Sequence, residues 1–324
     1  MLVTTGGGST ALNALLTTPG ASRFVADAQI PYSPEALERF LGEKPEQSVS
    51  PETARALAEK AFFQGLEECR PGDPTRRLLG VACTAALQTD RARRGADRAF
   101  ICIKTEQAST LYALHFSKTS REEQEALLSD WLLVLIALAV DAERGLMLPG
   151  SFNPLHQGHC NLLSAAGEIT GLRGVFELSC ANVDKPGVAD DECLDRASQI
   201  KDIPVALTFA PRFVQKAELF PQTTFVLGYD TAARLIAPDY SKDWKNIYVQ
   251  AQPASKPWKN QWEFFQTLET KFLVAGRLSN VDAVSSPRFQ GLEELSLPEG
   301  FESLFEAIPE SAFREDVSST DLRG

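Results

Sequence analysis

Two histidines three residues apart, His156 and His159, have the type and spacing to handle a phosphate. The chain contains only three histidines in all. Ahead of this pair an apolar run, Gly145 to Leu148, ends at Pro149-Gly150, and a short loop from Ser151 to Gln157 follows. Gly158-His159 then opens an amphipathic helix through Leu162, Leu163 and Ala166. The pattern predicts a strand, a tight turn and a helix N-terminus. Such a terminus presents unpaired backbone N–H groups and the positive end of the helix dipole, a geometry that receives a phosphate. Imidazoles one turn apart can face one phosphate group, and each can donate a hydrogen bond, more strongly when protonated.

The bulk properties set limits on the partners. A length of 324 residues suggests two domains, and 44% hydrophobic with 23% charged residues reads as a soluble globular chain. The net charge of −11 argues against a nucleic-acid partner, which needs clustered Lys and Arg. The most apolar window, Trp131 to Val140, is too short to span a bilayer and reads as a buried helix, so no membrane partner is expected. The six cysteines form no CxxC pair, and the start MLVTTGGGST lacks the charged-then-apolar pattern of a secretory leader. Reduced thiols and a cytoplasmic location are the expectation.

The elements that must position the histidines are those of an α/β chain. After the Gly158 helix, strands are expected at Gly174 to Leu178, Pro204 to Phe209, Thr223 to Leu227 and Phe272 to Ala275, with helices between them. That alternation predicts a parallel sheet, whose ligands bind beyond the carboxyl ends of the strands. The chemistry-bearing residues fall at those ends: Gly150 to His159, Asn182 to Lys185, Gly228 to Thr231, and Arg277. Ser285 to Pro309 is polar and reads as a surface loop with little sheet content. In the first half, Gly6 to Thr10 is a Gly-rich loop before a helix, open to two readings, a plain turn or an anion cradle. Ser33-Pro34-Glu35 and Ser50-Pro51-Glu52 carry the signature of helix starts, and Ala54, Leu57, Ala58, Ala61 and Phe62 form a core-facing stripe. Leu78 to Thr84, Ala99 to Ile103 and Ser109 to Phe116 read as strands, and Arg121 to Asp141 as one long helix. His115, in an apolar strand, reads as a core or edge histidine. The boundary between the halves falls at Asp141 to Arg144, giving domains 1–143 and 144–324.

The motif GSFNPLHQGH resembles the nucleotidyltransferase (HxGH) superfamily, and NVDKP, GYDT, FLVAGR and SSTDLR follow in that family's order from Leu146 to Gly324. In pattern it is similar to the nicotinamide and nicotinate mononucleotide adenylyltransferases. The resemblance implies a Rossmann-like parallel-sheet domain that transfers AMP from ATP to a phosphorylated small-molecule acceptor and releases pyrophosphate, as in NAD biosynthesis. The acceptor's phosphate is already ionised, so catalysis can be positioning plus charge neutralisation, with no general base. His156 and His159 would be catalytic. Gly150, Ser151 and Phe152 would bring backbone N–H groups to ATP, and Gly158 would make room for it. Ser318, Ser319, Thr320 and Arg323 would hold the β- and γ-phosphates. Lys185, Arg196, Asp230, Trp244 and Arg277 would meet the acceptor, although each also has an ordinary structural reading as a salt bridge, helix cap or core residue. Mg²⁺ would arrive with ATP, bridging phosphate oxygens, with no protein metal site. The chain stops at Gly324, directly after the SSTxxR motif, where relatives continue into a helix.

The first half, through TTGGGSTALNALLTTPGASRF, AQIPYSPEALERFLG and VSPETARALAEKAF, resembles the competence-damage-inducible (CinA) C-terminal family from Leu2 to about Asp141. Members of that family deamidate nicotinamide mononucleotide. The family's nucleophilic serine falls on Thr5, or on Thr4 with a one-residue shift, and its glycine-rich second loop falls near Thr84 to Leu87, where the glycines are gone. A degenerate α/β domain with a vestigial amidase site at Thr5 and Tyr32 is therefore expected. A bifunctional enzyme with a working amidase, and a non-catalytic nucleotide-binding or scaffold protein, stand as alternatives. The sequence leaves the oligomeric state open, a homo-oligomer included.

Overall fold

The computed structural model describes residues 1–68, 77–90, 95–180, 190–238, 240, 258–279 and 288–314. In chain order the elements are β1 (Leu2–Thr5), α1 (Ser9–Thr17), β2 (Ala28–Gln29), α2 (Pro34–Leu41), α3 (Pro51–Glu68), β3 (Gly80–Ala86), β4 (Arg98–Lys104), β5 (Ser109–His115) and α4 (Arg121–Ala139). Then come β6 (Gly145–Gly150), α5 (Gln157–Thr170), β7 (Gly174–Ser179), α6 (Asp190–Ser198), β8 (Val205–Thr208), α7 (Phe213–Leu219), β9 (Thr223–Gly228) and α8 (Tyr229–Ile236). The last described elements are α9 (Gln261–Thr267), β10 (Lys271–Ala275), β11 (Arg277–Ser279), β12 (Arg288–Gln290) and β13 (Phe305–Ile308). The chain divides into two compact units. Unit 1 comprises 1–143 with 189–208, and unit 2 comprises 144–188 with 209–324.

Unit 1 is built on a mixed sheet. β1 pairs in parallel with β2 and β3, and β3, β4, β5 and β8 then follow in antiparallel succession. The helix starts are those the sequence announces. The Ser33 hydroxyl accepts from the Ala36 amide at 3.1 Å and the Ser50 hydroxyl from the Thr53 amide at 3.1 Å, each with proline at the first helical position. On α3 the stripe Ala54, Leu57, Ala58, Ala61 and Phe62 is buried against the sheet. α4 begins with a capping box between Ser120 and Glu123 and buries Leu128, Trp131, Leu132 and Leu135. No described helix is long and apolar enough to cross a membrane.

Unit 2 is a five-stranded, wholly parallel sheet in the order β7-β6-β9-β10-β13, with a separate antiparallel pair β11–β12. Its core is aromatic. Phe272 stacks on Phe305 at 5.1 Å and meets Phe265 edge-on at 5.1 Å, while Phe213 meets Phe225 edge-on at 5.6 Å. The chain leaves β6 toward β7 on one side and later places β9 on the other. The order therefore reverses at β6, and in sheets of this kind ligands bind beyond the carboxyl ends of the strands flanking such a reversal, here β6 and β9.

Three expectations are corrected here. The strand at Val205–Thr208 is not part of the parallel sheet of unit 2. It pairs antiparallel with β5, Leu111 opposite Leu207, and belongs to unit 1 with α6. Ser285 to Pro309 holds more than the little sheet expected of a surface loop: β13 pairs in parallel with β10, anchored by buried Phe305 and Ile308 with exposed residues between them. A four-residue edge strand with two apolar anchors carries too little periodicity to stand out. Finally, Cys83, Cys102 and Cys160 are free thiols, but Cys180 and Cys193 are disulfide-bonded. Bond formation depends on the spatial approach of the Cα atoms, which sequence spacing does not reveal.

Candidate functional site

The turn after β6 is built around one buried ring. Phe152 takes a left-handed backbone, φ 44°, and is 1% exposed. It stands edge-on to Phe176 of β7 and edge-on to His159, each at 5.2 Å. The ring folds back over the strand end because Gly150 has no side chain. A Cβ there would lie 2.6 Å from the Phe152 ring. The aromatic residue thus fixes the loop from below and props the imidazole of His159 from the side. Besides the backbone N–H expected of it, Phe152 contributes a buried side chain that anchors the turn.

His156 is the residue that caps α5, and His159 sits in the first turn of that helix. Their rings stack at 3.7 Å with 30° between planes. The His156 amide donates to Nδ1 of His159 at 3.3 Å, and the His159 amide donates to the His156 carbonyl at 3.0 Å. An Nδ1 that accepts a hydrogen bond places the proton of the neutral ring on Nε2, which then serves as a donor. Burial, and next the neighbouring His156, push the His159 pKa down to about 4. His159 is therefore neutral at pH 7, and its donor strength there is that of a neutral imidazole. Gly158 is buried at the helix start, and Ser151 is exposed.

Across the switch point, Gly228 ends β9 and Tyr229-Asp230 opens α8. Asp230 and Arg277, assigned independently from the sequence, form an ion pair at 2.5 Å between Nη1 and Oδ2. Arg277 also lies over the Tyr229 ring, 6.0 Å from its centre. The strand ends of β9 and β10 thus meet in a carboxylate–guanidinium pair that is half-exposed and open to exchange one partner for a ligand. Arg196 is on α6 of unit 1, where its guanidinium pairs with Glu192 one turn away. That is the salt-bridge reading left open for it. Lys185, Trp244, Ser318, Ser319, Thr320 and Arg323 lie outside the described residues.

One feature of unit 2 went unnoticed in the sequence. Lys216 of α7 donates to both carboxylate oxygens of Glu177 at 2.7 Å, with Glu177 fully buried and Lys216 4% exposed. Glu177 is the register partner of Pro149 on β6, immediately before the turn. The pair locks β7 and α7 behind the site. The available signal was a single acid within the apolar strand GVFELS, which required a buried counter-charge.

In unit 1 the Gly-rich loop is already occupied by the protein's own carboxylate. Glu125 of α4 accepts from the Gly8 amide at 2.8 Å, the Ser9 hydroxyl at 3.0 Å and the Thr10 amide at 3.1 Å. Burial opposes its ionisation, but these hydrogen bonds outweigh it and hold the carboxyl below its usual range. Gly6 packs on the Ala85 carbonyl, where a Cβ would sit 1.9 Å away. Thr5 is buried and donates to the Pro31 carbonyl at 3.0 Å. Arg121 reaches the Gly6 carbonyl at 3.2 Å and the exposed Tyr32 hydroxyl at 3.4 Å. No histidine, lysine or carboxylate is hydrogen-bonded to Thr5 among the described residues, and a threonine needs such a base to act as a nucleophile.

The comparisons bear on these two halves differently. A model of cytidylyltransferase-like proteins matches residues 147–324, from β6 to the end of the chain. The chain belongs to the cytidylyltransferase-like family. It is thus a nucleotidyltransferase-type protein, and the stacked-histidine turn lies at the beginning of the matched region. Among solved structures, the CinA superfamily protein of Escherichia coli aligns with the N-terminal portion at 18% identity and a TM-score of 0.33, covering 42% of this chain and 79% of that one. The competence or damage-inducible protein of Enterobacter asburiae and the CinA superfamily protein of Enterobacter cloacae give the same identity, TM-score and share of this chain, over 85% and 80% of their own lengths. No curated protein matches the chain.

Proposed function

We propose that the protein transfers AMP from ATP to the phosphate of a small acceptor, nicotinamide or nicotinate mononucleotide, and releases pyrophosphate. The observation that carries this is the stacked pair His156 and His159 at the start of α5, beyond the carboxyl end of β6, where the strand order of a parallel sheet reverses. An oxygen of the acceptor's phosphate forms the new bond to the α-phosphorus, the α–β bridging bond breaks, and pyrophosphate carries away the electron pair. The negative charge that grows on the phosphate oxygens is met by Nε2–H of His159 and by the first amides of α5. The donors at this turn are imidazole and backbone N–H groups, which fit phosphate oxygens rather than a bare cation. Mg²⁺ would arrive bound to the triphosphate and would lower the charge on the leaving pyrophosphate, with no protein side chain of the turn required to hold it. On binding, Arg277 exchanges Asp230 for the acceptor's phosphate and Asp230 turns to its ribose hydroxyls.

Incubation of the protein with Mg-ATP and nicotinamide mononucleotide yields NAD and pyrophosphate in equal amounts on this reading. A folded sample that makes no dinucleotide from either mononucleotide, with ATP or with CTP as donor, refutes the acceptor assignment. Turnover with CTP and not ATP refutes the donor assignment alone.

A further inference from the structure

Glu177 and Lys216 are buried charges that the proposed transfer leaves unused, and their place in unit 2 gives them a task. Glu177 is fully buried, Lys216 is nearly so, and Lys216 Nζ donates to both carboxylate oxygens at 2.7 Å. A buried ion pair is a poor source of stability, because taking two charges out of water costs about as much as their attraction returns. Apolar residues of like volume serve a core at least as well. What such a pair supplies is direction. Charged hydrogen bonds fix a side chain at one place, whereas apolar contacts are non-directional.

The end of β6 needs that direction. Its register with β9 runs from Gly145 to Met147 and stops there. With β7 the register continues through Leu148, Pro149 and Gly150, opposite Phe176, Glu177 and Leu178. The last three residues before the turn are therefore aligned by β7. Pro149 has no N–H, so the backbone ladder has one donor fewer at the level of Glu177. Successive residues of β7 point to opposite faces of the sheet. On one face Phe176 meets Phe152, which meets His159, each edge-on at 5.2 Å. On the other, Glu177 is held by Lys216 of α7, and Phe213 of the same helix is seated on Phe225 of β9. Adjacent residues of β7 thus carry the prop of the imidazole and the tie to α7, while α7 is itself fixed to the middle of the sheet.

Resting on the reading of that turn as the place of nucleotidyl transfer, we propose that Glu177 and Lys216 are its positioning residues. The pair fixes the carboxyl end of β7 and, through Phe176 and Phe152, sets where the His159 ring stands. Buried as they are, neither meets a substrate.

Lys216→Met/Glu177→Leu in the full chain tests this, because an apolar pair keeps the core filled and removes the direction. The double variant is expected to unfold in urea near the wild-type midpoint. Its kcat for pyrophosphate release from Mg-ATP and nicotinamide mononucleotide falls about tenfold or more, with little change in KM for ATP, as misplacement of a transition-state donor requires. Proton NMR gives a second reading that needs no turnover. The chain has three histidines, and the His159 ring signals, assigned by their loss in His159→Ala, carry the ring-current shift of the adjoining Phe152. These signals move in the double variant. If that variant does not fold, Glu177→Gln, which keeps the shape and loses the charge, is read in the same way. Moved signals with a wild type that makes no dinucleotide refute the transfer reaction and support the positioning role. Unmoved His159 signals in a folded variant, or an unchanged kcat where the wild type turns over, overturn the proposal.

Discussion

At the residue scale, the chemistry of the candidate site turns on one proton. His159 has a folded pKa of about 4 against 6.5 for the free side chain, so it stays neutral across the physiological range. If the neutral Nε2–H is the working donor, pyrophosphate release does not fall between pH 6 and 8 through loss of a proton from His159. A rate that declines steadily over that range identifies an imidazolium requirement instead. His159→Ala removes the donor and lowers the turnover number about 10²- to 10³-fold, by analogy with the loss of one preorganised hydrogen bond to a developing oxyanion. The same depressed pKa carries a stability consequence. Below pH 6.5 the unfolded chain takes up a proton that the folded chain refuses until about pH 4, so stability is lost as the pH falls through that window. His115 behaves alike, and His115→Gln flattens this part of the denaturation-midpoint profile, measured in guanidinium from pH 7 to 4. Gly150 is the other sensitive position. Gly150→Ala forces a methyl into the Phe152 ring, which costs about 1–3 kcal/mol in a well-packed site and shifts His159 with it. Thermal melting and the pyrophosphate assay should both register the change.

At the element scale, two carboxylates decide how helices sit. Glu125 fills the anion position at the start of α1, which explains why a Gly-rich loop before a helix is a turn here and not a phosphate cradle. Glu125→Ala leaves the Gly8 and Thr10 amides without their acceptor and destabilises unit 1 by about 1–2 kcal/mol, as the loss of a helix cap does. Because the Glu125 pKa is lowered on folding, its contribution is present above the usual carboxylate range and is lost as the pH drops through the folded value. That loss lies at lower pH than the onset of the histidine effect, and the two separate in a pH series of urea midpoints. Glu177 and Lys216 tie β7 to α7 in a nearly dry environment. Lys216→Met strands a buried carboxylate and costs about 3–5 kcal/mol, whereas pairing it with Glu177→Leu recovers most of that stability. A double-mutant cycle by chemical denaturation measures the difference.

At the scale of the whole chain, the two units do not follow the sequence as two uninterrupted blocks. Residues 189–208 return to unit 1 and add β8 to the exposed edge of β5. A fragment of residues 1–143 therefore lacks the partner of Leu111 to Ala113. It melts at a lower temperature than unit 1 does within the full chain, and its β5 amides exchange faster with solvent. Equal protection of those amides in the fragment and in the full chain would count against this division. The single excursion also makes Arg196, on α6, a residue of unit 1.

The residues alone determined a good deal. The strand, turn and helix around His156 and His159, the parallel sheet that carries them, the proline-led starts of α2 and α3 and the apolar stripe of α3 follow from local rules: period, capping and backbone geometry that neighbours in sequence set by themselves. Asp230 and Arg277 were picked out separately as strand-end residues, but only the fold brought them into one ion pair. Long-range partners were beyond the reach of the sequence for one physical reason. Which carboxylate neutralises Lys216, what fills the α1 terminus, which ring props His159, which strand borders β5 and which cysteines bond are settled by packing between segments far apart along the chain. None of these leaves a periodic trace in either segment. Tertiary structure therefore decided the protonation of the histidines and the closure of the Gly-rich loop by Glu125.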